Sequence, residues 1–297
     1  MRIFYNPAMS TDSHGFSPSA AKPAKVVADW LARGLDIEIV DFEPVTEADL
    51  CLAHDSAYVR GVLTGKTRNG HGNYLKSVSE SCLWTAGSLL AASRAALTEG
   101  ITCSPTSGFH HASYDSNFGF CTFNALVITA IKLTNECVVK KVGIIDGDNH
   151  YSDGTIDIID HLELHDIIEN WTYGAEFGDR EFCQEELLTS LRLTLMDMKD
   201  SGVELIILQA GADCHIDDPL CSGSGMTSEE MRERDRFVFT ACNKLGMPVC
   251  ICFGGGYQRD TDGGISKVLE LHRATAEEAI KVLRNRDCGH HALVITE

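Results

Sequence analysis

One rhythm runs the length of this chain and restricts its fold more than any other feature. Short apolar runs of strand character alternate with longer helical stretches. The expected strands are Arg2–Tyr5, Ile37–Asp41, Ile101–Ser104, Val138–Asp146, Ile167–Trp171, Val203–Gln209, Pro248–Phe253 and His291–Thr296. Helices are expected over Ala20–Leu31, Lys76–Leu97, Phe123–Leu133, Glu185–Met198, Glu229–Lys244 and Thr275–Arg286. Such alternation implies an α/β fold of three layers, a mostly parallel sheet with helices on both faces. No repeat, low-complexity tract or linker interrupts the pattern. Residues 1–297 are therefore expected to form one domain, long enough to bury a full core.

In open parallel sheets ligands bind beyond the carboxyl ends of the strands, so the residues just after each strand carry most information. The run Ile144-Ile145-Asp146-Gly147-Asp148-Asn149-His150-Tyr151-Ser152-Asp153 is the richest. Alternation puts Asp146, Asp148 and His150 on one side of an extended backbone. A carboxylate beside an imidazole suits Zn²⁺ or another first-row divalent ion. A calcium loop is a poor fit, because its sixth position requires Gly and here holds Tyr151, and because strand precedes the run.

Three other strand ends hold Gly108-Phe109-His110-His111-Ala112, Gly211-Ala212-Asp213 and Gly254-Gly255-Gly256-Tyr257. Asp148, His150 and Asp213 would form a three-ligand site with one position open, the pattern of a catalytic metal. His110 and His111 suit acid–base work near neutral pH, with Asp146 and Asp153 available to steer them. Tyr257 can donate a hydrogen bond to a developing oxyanion. The glycine run lacks the Lys-Ser or Lys-Thr of a phosphate loop. A second histidine pair, Gly289-His290-His291-Ala292, has no equivalent of the downstream Gly119-Phe120-Cys121 and is expected to open a terminal strand.

The twelve cysteines sit mostly in apolar contexts and include no C-x-x-C pair, as expected of reduced core thiols. With no apolar leader and no run of membrane-spanning length, the expectation is a soluble, cytoplasmic protein. A formal charge of -18 argues against nucleic-acid binding and mildly favours cationic or neutral partners.

Taken in order, these segments resemble the signature of the zinc-dependent histone deacetylase family, which includes bacterial deacetylase-like amidohydrolases and acetylpolyamine amidohydrolases. Leu52-Ala53-His54-Asp55-Ser56-Ala57-Tyr58-Val59 and Asp218-Pro219-Leu220 add to the match, which runs from about residue 50 to about residue 260. The resemblance implies the arginase/deacetylase fold, with about eight strands. It implies one Zn²⁺ per chain on Asp148, His150 and Asp213, His110 paired with Asp146, His111 paired with Asp153, and Tyr257 polarising the scissile carbonyl. Phe120 matches one wall of the substrate channel, with Gly119 and Gly255 as further substrate-binding positions. A monovalent cation such as K⁺ is implied against the carbonyls around Asp146–His150. The implied substrate is acetyl-lysine, an acetylpolyamine or another small acylated amine, cleaved to a carboxylate and a free amine. No nucleic-acid or membrane partner is implied, and a homo-oligomer is compatible.

The chain also departs from that pattern. Tyr151-Ser152 replaces the usual His-Gly, and Phe109 adds bulk before the histidine pair. The long loop expected after Trp171 is missing, so no second channel wall and no serine cation ligand is recognisable. A shortened wall predicts a more open pocket, or one completed by another subunit. Asn73 and Glu80 are candidate rim contacts. Two other readings stand beside the first. A two-metal ureohydrolase of the arginase type shares the fold, but Ser152 stands two residues after His150 where that pattern needs an acid. An acyl-amine binding protein without turnover is the third.

Overall fold

Leu205-Ile206-Ile207-Leu208 is apolar at every position, without the alternation of a half-exposed strand, and all four side chains are buried. Such a strand needs apolar cover on both faces, which parallel sheets obtain from crossover helices. The structure is a computed structural model and describes residues 1–291. Among the described residues seven strands make one sheet: β1 (Arg2–Phe4), β2 (Glu38–Val40), β3 (Ile101–Cys103), β4 (Val142–Asp146), β5 (Ile168–Thr172), β6 (Leu205–Ala210) and β7 (Val249–Phe253). Their order is β2-β1-β3-β7-β6-β4-β5, and every pairing is parallel. Successive residues feed opposite core layers. Ile206, Leu208 and Ile145 pack with Trp30 and Phe253, whereas Leu205, Ile207 and Ile144 pack with Leu126 and Ile158 on the other face.

The expected elements are found with shifts of a few residues. The first long helix is Lys22–Ala32, preceded by a tight turn at Ser19–Ala21, and the others include Lys76–Glu99, Ala125–Asn135, Gln184–Asp200 and Ser228–Leu245. Four short helices escape the periodicity: Glu47–Leu50, Ser56–Leu63, Asp153–His161 and Tyr173–Glu176. Each spans too few turns to display a repeat. The final helix, Ser266–His291, is much longer than expected and takes in the second histidine pair. The rest of the expected terminal strand, from residue 292, lies outside the described residues. Among the described residues no helix is long and apolar enough to cross a membrane. Cys103, Cys214, Cys242, Cys250 and Cys252 are buried free thiols, as their apolar contexts suggest.

The sheet order brings the ends of β3, β7, β6 and β4 side by side, and these are the four strands that precede the chemistry-bearing segments. His54 secures the segment after β3. Its Nδ1 donates to the Ser113 carbonyl (2.8 Å), and its Nε2 accepts the Asn124 N–H (2.8 Å). Asn124 in turn donates to the Ala112 carbonyl (3.2 Å) and to Thr155 Oγ1 (3.0 Å), tying the histidine loop to the segment after β4. Burial pulls the His54 imidazole down to about 4. In the unfolded chain that ring protonates near 6.5. Between those values the unfolded state binds a proton that the folded state refuses, so stability falls as pH drops from about 6.5 towards about 4. His54→Gln should flatten that decline in urea midpoint measured against pH. An unchanged slope would show that His54 does not contribute.

Candidate metal centre and active site

Asp148, His150 and Asp213 converge from the ends of β4 and β6. His150 Nδ1 lies 3.1 Å from Asp148 Oδ1 and 3.1 Å from Asp213 Oδ2. One ligand atom from each of the three lies within 4.8 Å of the others, and among the described residues this is the one such cluster of three. Both carboxylates are fully buried, while the His150 side chain keeps 34% of its exposure. Backbone amides hold the acids from behind: the Gly255 N–H donates to Asp148 Oδ2 (2.6 Å) and the Asn149 N–H to Asp213 Oδ1 (3.2 Å). A Cβ on Gly255 would stand 1.9 Å from Asp213 Oδ2, so only glycine allows this approach.

Two facing buried carboxylates repel, and their protonation shows it. Burial raises the Asp213 carboxyl and Asp148 raises it further, to about 6, against the pull of His150. Hydrogen bonds to Asp148 and Asp213 outweigh burial at His150 and lift the imidazole to about 11. Such a cluster calls for a cation. Two carboxylates, one imidazole and an open side fit a divalent first-row ion, and the soft sulfur ligands of a structural zinc site are absent from it.

The histidine pair lies alongside, its ring centroids 4.0 Å apart. His110 Nδ1 donates to Asp146 Oδ2 (2.8 Å), and Asp146 Oδ1 accepts from Gln209 Nε2 (2.9 Å) and the Asp148 N–H (3.1 Å). Burial opposes a charge on His110, but Asp146 and Asp148 overcome it and carry the ring up to about 9. His111 Nδ1 donates to Asp153 Oδ1 (2.5 Å) at the start of the helix Asp153–His161. The His111 ring rests on Gly119, where φ is +54° and a Cβ would meet the ring at 2.3 Å. Tyr257 is buried, and burial followed by the charges of Asp213 and Asp148 drives its phenol well up, so the group stays protonated. Its N–H donates to Asp218 Oδ2 (2.7 Å).

A cavity of about 630 Å³ opens above these groups, lined by His111, His150, Phe118, Phe120, Leu220 and Tyr257 among others. Gly119 lines it as well, whereas Gly255 stays beneath the floor. Asn73 and Glu80 do not line it, and the Asn73 amide is spent on the Ser13 carbonyl (3.0 Å) and on Asn69 (2.7 Å). The short segment after β5 offers the cavity no aromatic wall. Phe177 is buried against Tyr173 (5.4 Å between centroids), and Gly174 packs on the backbone of His150. Phe16, from the loop before the first helix, instead stacks on Tyr257 (5.9 Å).

Several residues around the site carry no sequence signal. Lys22 is completely buried and its Nζ donates to the Gly254 carbonyl (2.8 Å). Burial pulls that ammonium down, Asp213 and Asp148 hold it up, and it settles at about 8. Arg234 is buried too, donating from Nη1 to the Gly147 carbonyl (2.8 Å) and from Nε to Asp235 (2.8 Å). Both cations act through backbone carbonyls that only tertiary structure brings near them.

Residues 17–177 match the family model described as the histone deacetylase domain. A probable deacetylase of Methanothermobacter thermautotrophicus is 25% identical over 299 residues, covering 89% of this chain and 87% of that protein. An uncharacterized protein of Picosynechococcus is 27% identical over 235 residues, covering 75% of this chain and 78% of the relative. The crystal structure of an acetylpolyamine aminohydrolase from Burkholderia pseudomallei superposes with a TM-score of 0.71 at 17% identity, over 94% of this chain and 98% of that one. The seven-stranded sheet is thus an α/β arginase/deacetylase fold. The chain belongs to the histone deacetylase family, a family of typically metal-dependent hydrolases.

Gly255→Ala should leave far-UV circular dichroism unchanged yet weaken Zn²⁺ binding at least about tenfold, because Asp213 must move. Equal zinc affinity in isothermal titration would count against the packing described.

Proposed function

We propose that this chain hydrolyses the N-acyl amide of a lysine or another small amine, using one divalent metal ion. The observation that carries the reading is the convergence of Asp148, His150 and Asp213 beneath a cavity that His111 and Tyr257 also line. A zinc ion held by these three residues would supply Lewis acidity, making water a nucleophile near neutral pH and polarising the acyl carbonyl.

The chain's own groups then handle protons and charge. His111 keeps Nδ1 on Asp153 and has Nε2 left for the cavity, so it takes the proton of the attacking water. His110, held by Asp146, stands behind it as a second imidazole. Tyr257 donates its phenolic hydrogen to the oxygen that turns anionic at the tetrahedral carbon. A protonated imidazole gives its proton to the departing nitrogen, the C–N bond breaks, and a carboxylate and an amine leave. Phe120 and Leu220 flank the acyl chain. The monovalent cation that the family resemblance implies would find an unpartnered buried hydroxyl at Thr172 Oγ1, which pairs in register with Asp146.

Two-metal ureohydrolysis is less well supported. Ser152 Oγ accepts from Asn170 (3.0 Å), and Asp217, the first acid after Asp213 and so the nearest candidate for a second metal there, has a 76% exposed side chain. Among the described residues neither joins a second cluster.

The direct test is hydrolysis of a fluorogenic Nε-acetyl-lysine amide by the purified protein, as isolated, after chelation and after return of Zn²⁺. Turnover should vanish on chelation and recover with zinc. Tyr257→Phe should bind zinc as before but lose turnover by on the order of 10²-fold, equivalent to about 3 kcal/mol. Activity indifferent to chelation, or to loss of the phenol, would overturn the proposed mechanism. A zinc-loaded protein that binds acyl amides without turning them over would favour the binding-protein reading.

A further inference from the structure

The chain carries 43 acidic residues against 25 Lys and Arg, yet no Asp or Glu lines the cavity. Its one lining residue with a permanent charge is Arg68. Other surface arginines, Arg2, Arg60, Arg94, Arg180 and Arg284, each pair with a carboxylate. Arg68 has no such partner among the described residues, a state it shares with Arg192 and with Arg259, whose guanidinium is spent on the Gly263 and Phe16 carbonyls. Asp115, in the loop that leads to Phe118, does not line the cavity, and Asp218 is committed to the N–H groups of Tyr257 and Leu220.

The guanidinium is held ready. Its Nε donates to the Tyr74 hydroxyl (3.3 Å), and its carbon lies 5.6 Å from the centre of the Tyr74 ring. The Arg68 carbonyl accepts from Asn117 Nδ2 (2.9 Å), the same amide that donates to the Tyr58 hydroxyl (2.9 Å). Fixing the backbone and Nε leaves both Nη groups as a fork, the geometry that binds a carboxylate through two parallel hydrogen bonds. The other polar ring at this rim, His71, is neutral, because burial pulls it down to about 4. Arg68 is therefore the one fixed charge among the residues that line the cavity, opposite in sign to the whole chain.

We infer that Arg68 selects substrates whose amine half carries a carboxylate, namely N-acylated amino acids or peptides ending in acyl-lysine, and disfavours acylpolyamines. The inference rests on the acyl-amide reading above. With the acyl group at the floor beside His150 and Tyr257, the lysine arm runs up the cavity and its α-carboxylate meets Arg68 at the rim. A polyamine would place a second ammonium against the guanidinium.

The test uses zinc-loaded protein and matched ligands: free Nε-acetyl-lysine, its carboxamide, a dipeptide ending in acetyl-lysine as acid and as amide, and N-acetylputrescine. The ratio of kcat/KM for acid over amide should be about tenfold or more at low salt and shrink as salt rises, as a charge-assisted hydrogen bond requires. Arg68→Ala should bring that ratio to about one through KM, and Arg68→Lys should keep part of it. The free amino acid and the dipeptide show which source of carboxylate the rim accepts. Dissociation constants of the same acid and amide pairs, measured by titration calorimetry on the Tyr257→Phe protein with and without Arg68→Ala, give a readout independent of turnover. Equal affinity for acid and amide, a preference for N-acetylputrescine, or a parallel loss for acid and amide in Arg68→Ala would overturn the role of Arg68. Absence of turnover alone would count against the hydrolase reading and leave the binding ratio to decide this one.

Discussion

The arrangement around the cavity depends on two buried carboxylates, Asp148 and Asp213, held face to face with one imidazole between them. Left without a cation such a pair is costly, since two like charges in a region of low dielectric cannot both ionise freely. Neighbouring groups therefore do two things. Backbone amides of Gly255 and Asn149 occupy the far sides of the acids. Lys22 and Arg234, both buried, add positive charge behind the floor through the carbonyls of Gly254 and Gly147. What remains free is the face towards the cavity, where His111 and Tyr257 stand.

The sheet makes that arrangement possible. Segments separated by about a hundred residues in sequence meet because β3, β7, β6 and β4 are neighbours in space. The parallel direction of every strand puts all four carboxyl ends at one edge, so each loop delivers its side chain to the same place. Continuous apolar strands such as β6 keep the register rigid, because both faces are packed. Rigidity of the strands fixes the acids and histidines. The rim draws on the loop after the helix Ser56–Leu63, which carries Arg68–Gly72, and on the long loops after β3 and β6, which carry Asn117–Phe120 and Leu220.

This division explains what the sequence reveals about the molecule. Strands, long helices and the placing of Asp148 beside His150 are legible because they rest on local pattern: apolar runs, helical period, and Asp-x-Asp-x-His alternation after a strand. The pairings of His110 with Asp146 and of His111 with Asp153, implied by family resemblance, coincide with the observed hydrogen bonds of 2.8 and 2.5 Å. Lys22, Arg234 and Thr172 leave no local trace, since what ties them to the site is a carbonyl distant in sequence (Gly254, Gly147) or a strand in register. The rim illustrates the same limit. Asn73 and Glu80 lie near it in sequence, yet the cavity is lined by Arg68 and Leu220. Net charge is a coarse guide for a similar reason, because -18 describes the whole surface and not the one cavity, whose lining holds Arg68 and no acid. The final helix extends through His291, where the apolar run at the end of the sequence suggests the start of a strand.

The most direct measurement is zinc K-edge X-ray absorption on protein purified and loaded with Zn²⁺. Asp148, His150 and Asp213 predict one zinc per chain with oxygen and a single imidazole nitrogen at about 2.0–2.1 Å and no sulfur. Sulfur ligation at about 2.3 Å, or the absence of stoichiometric zinc, would contradict the claim that these two carboxylates are held together for a metal ion.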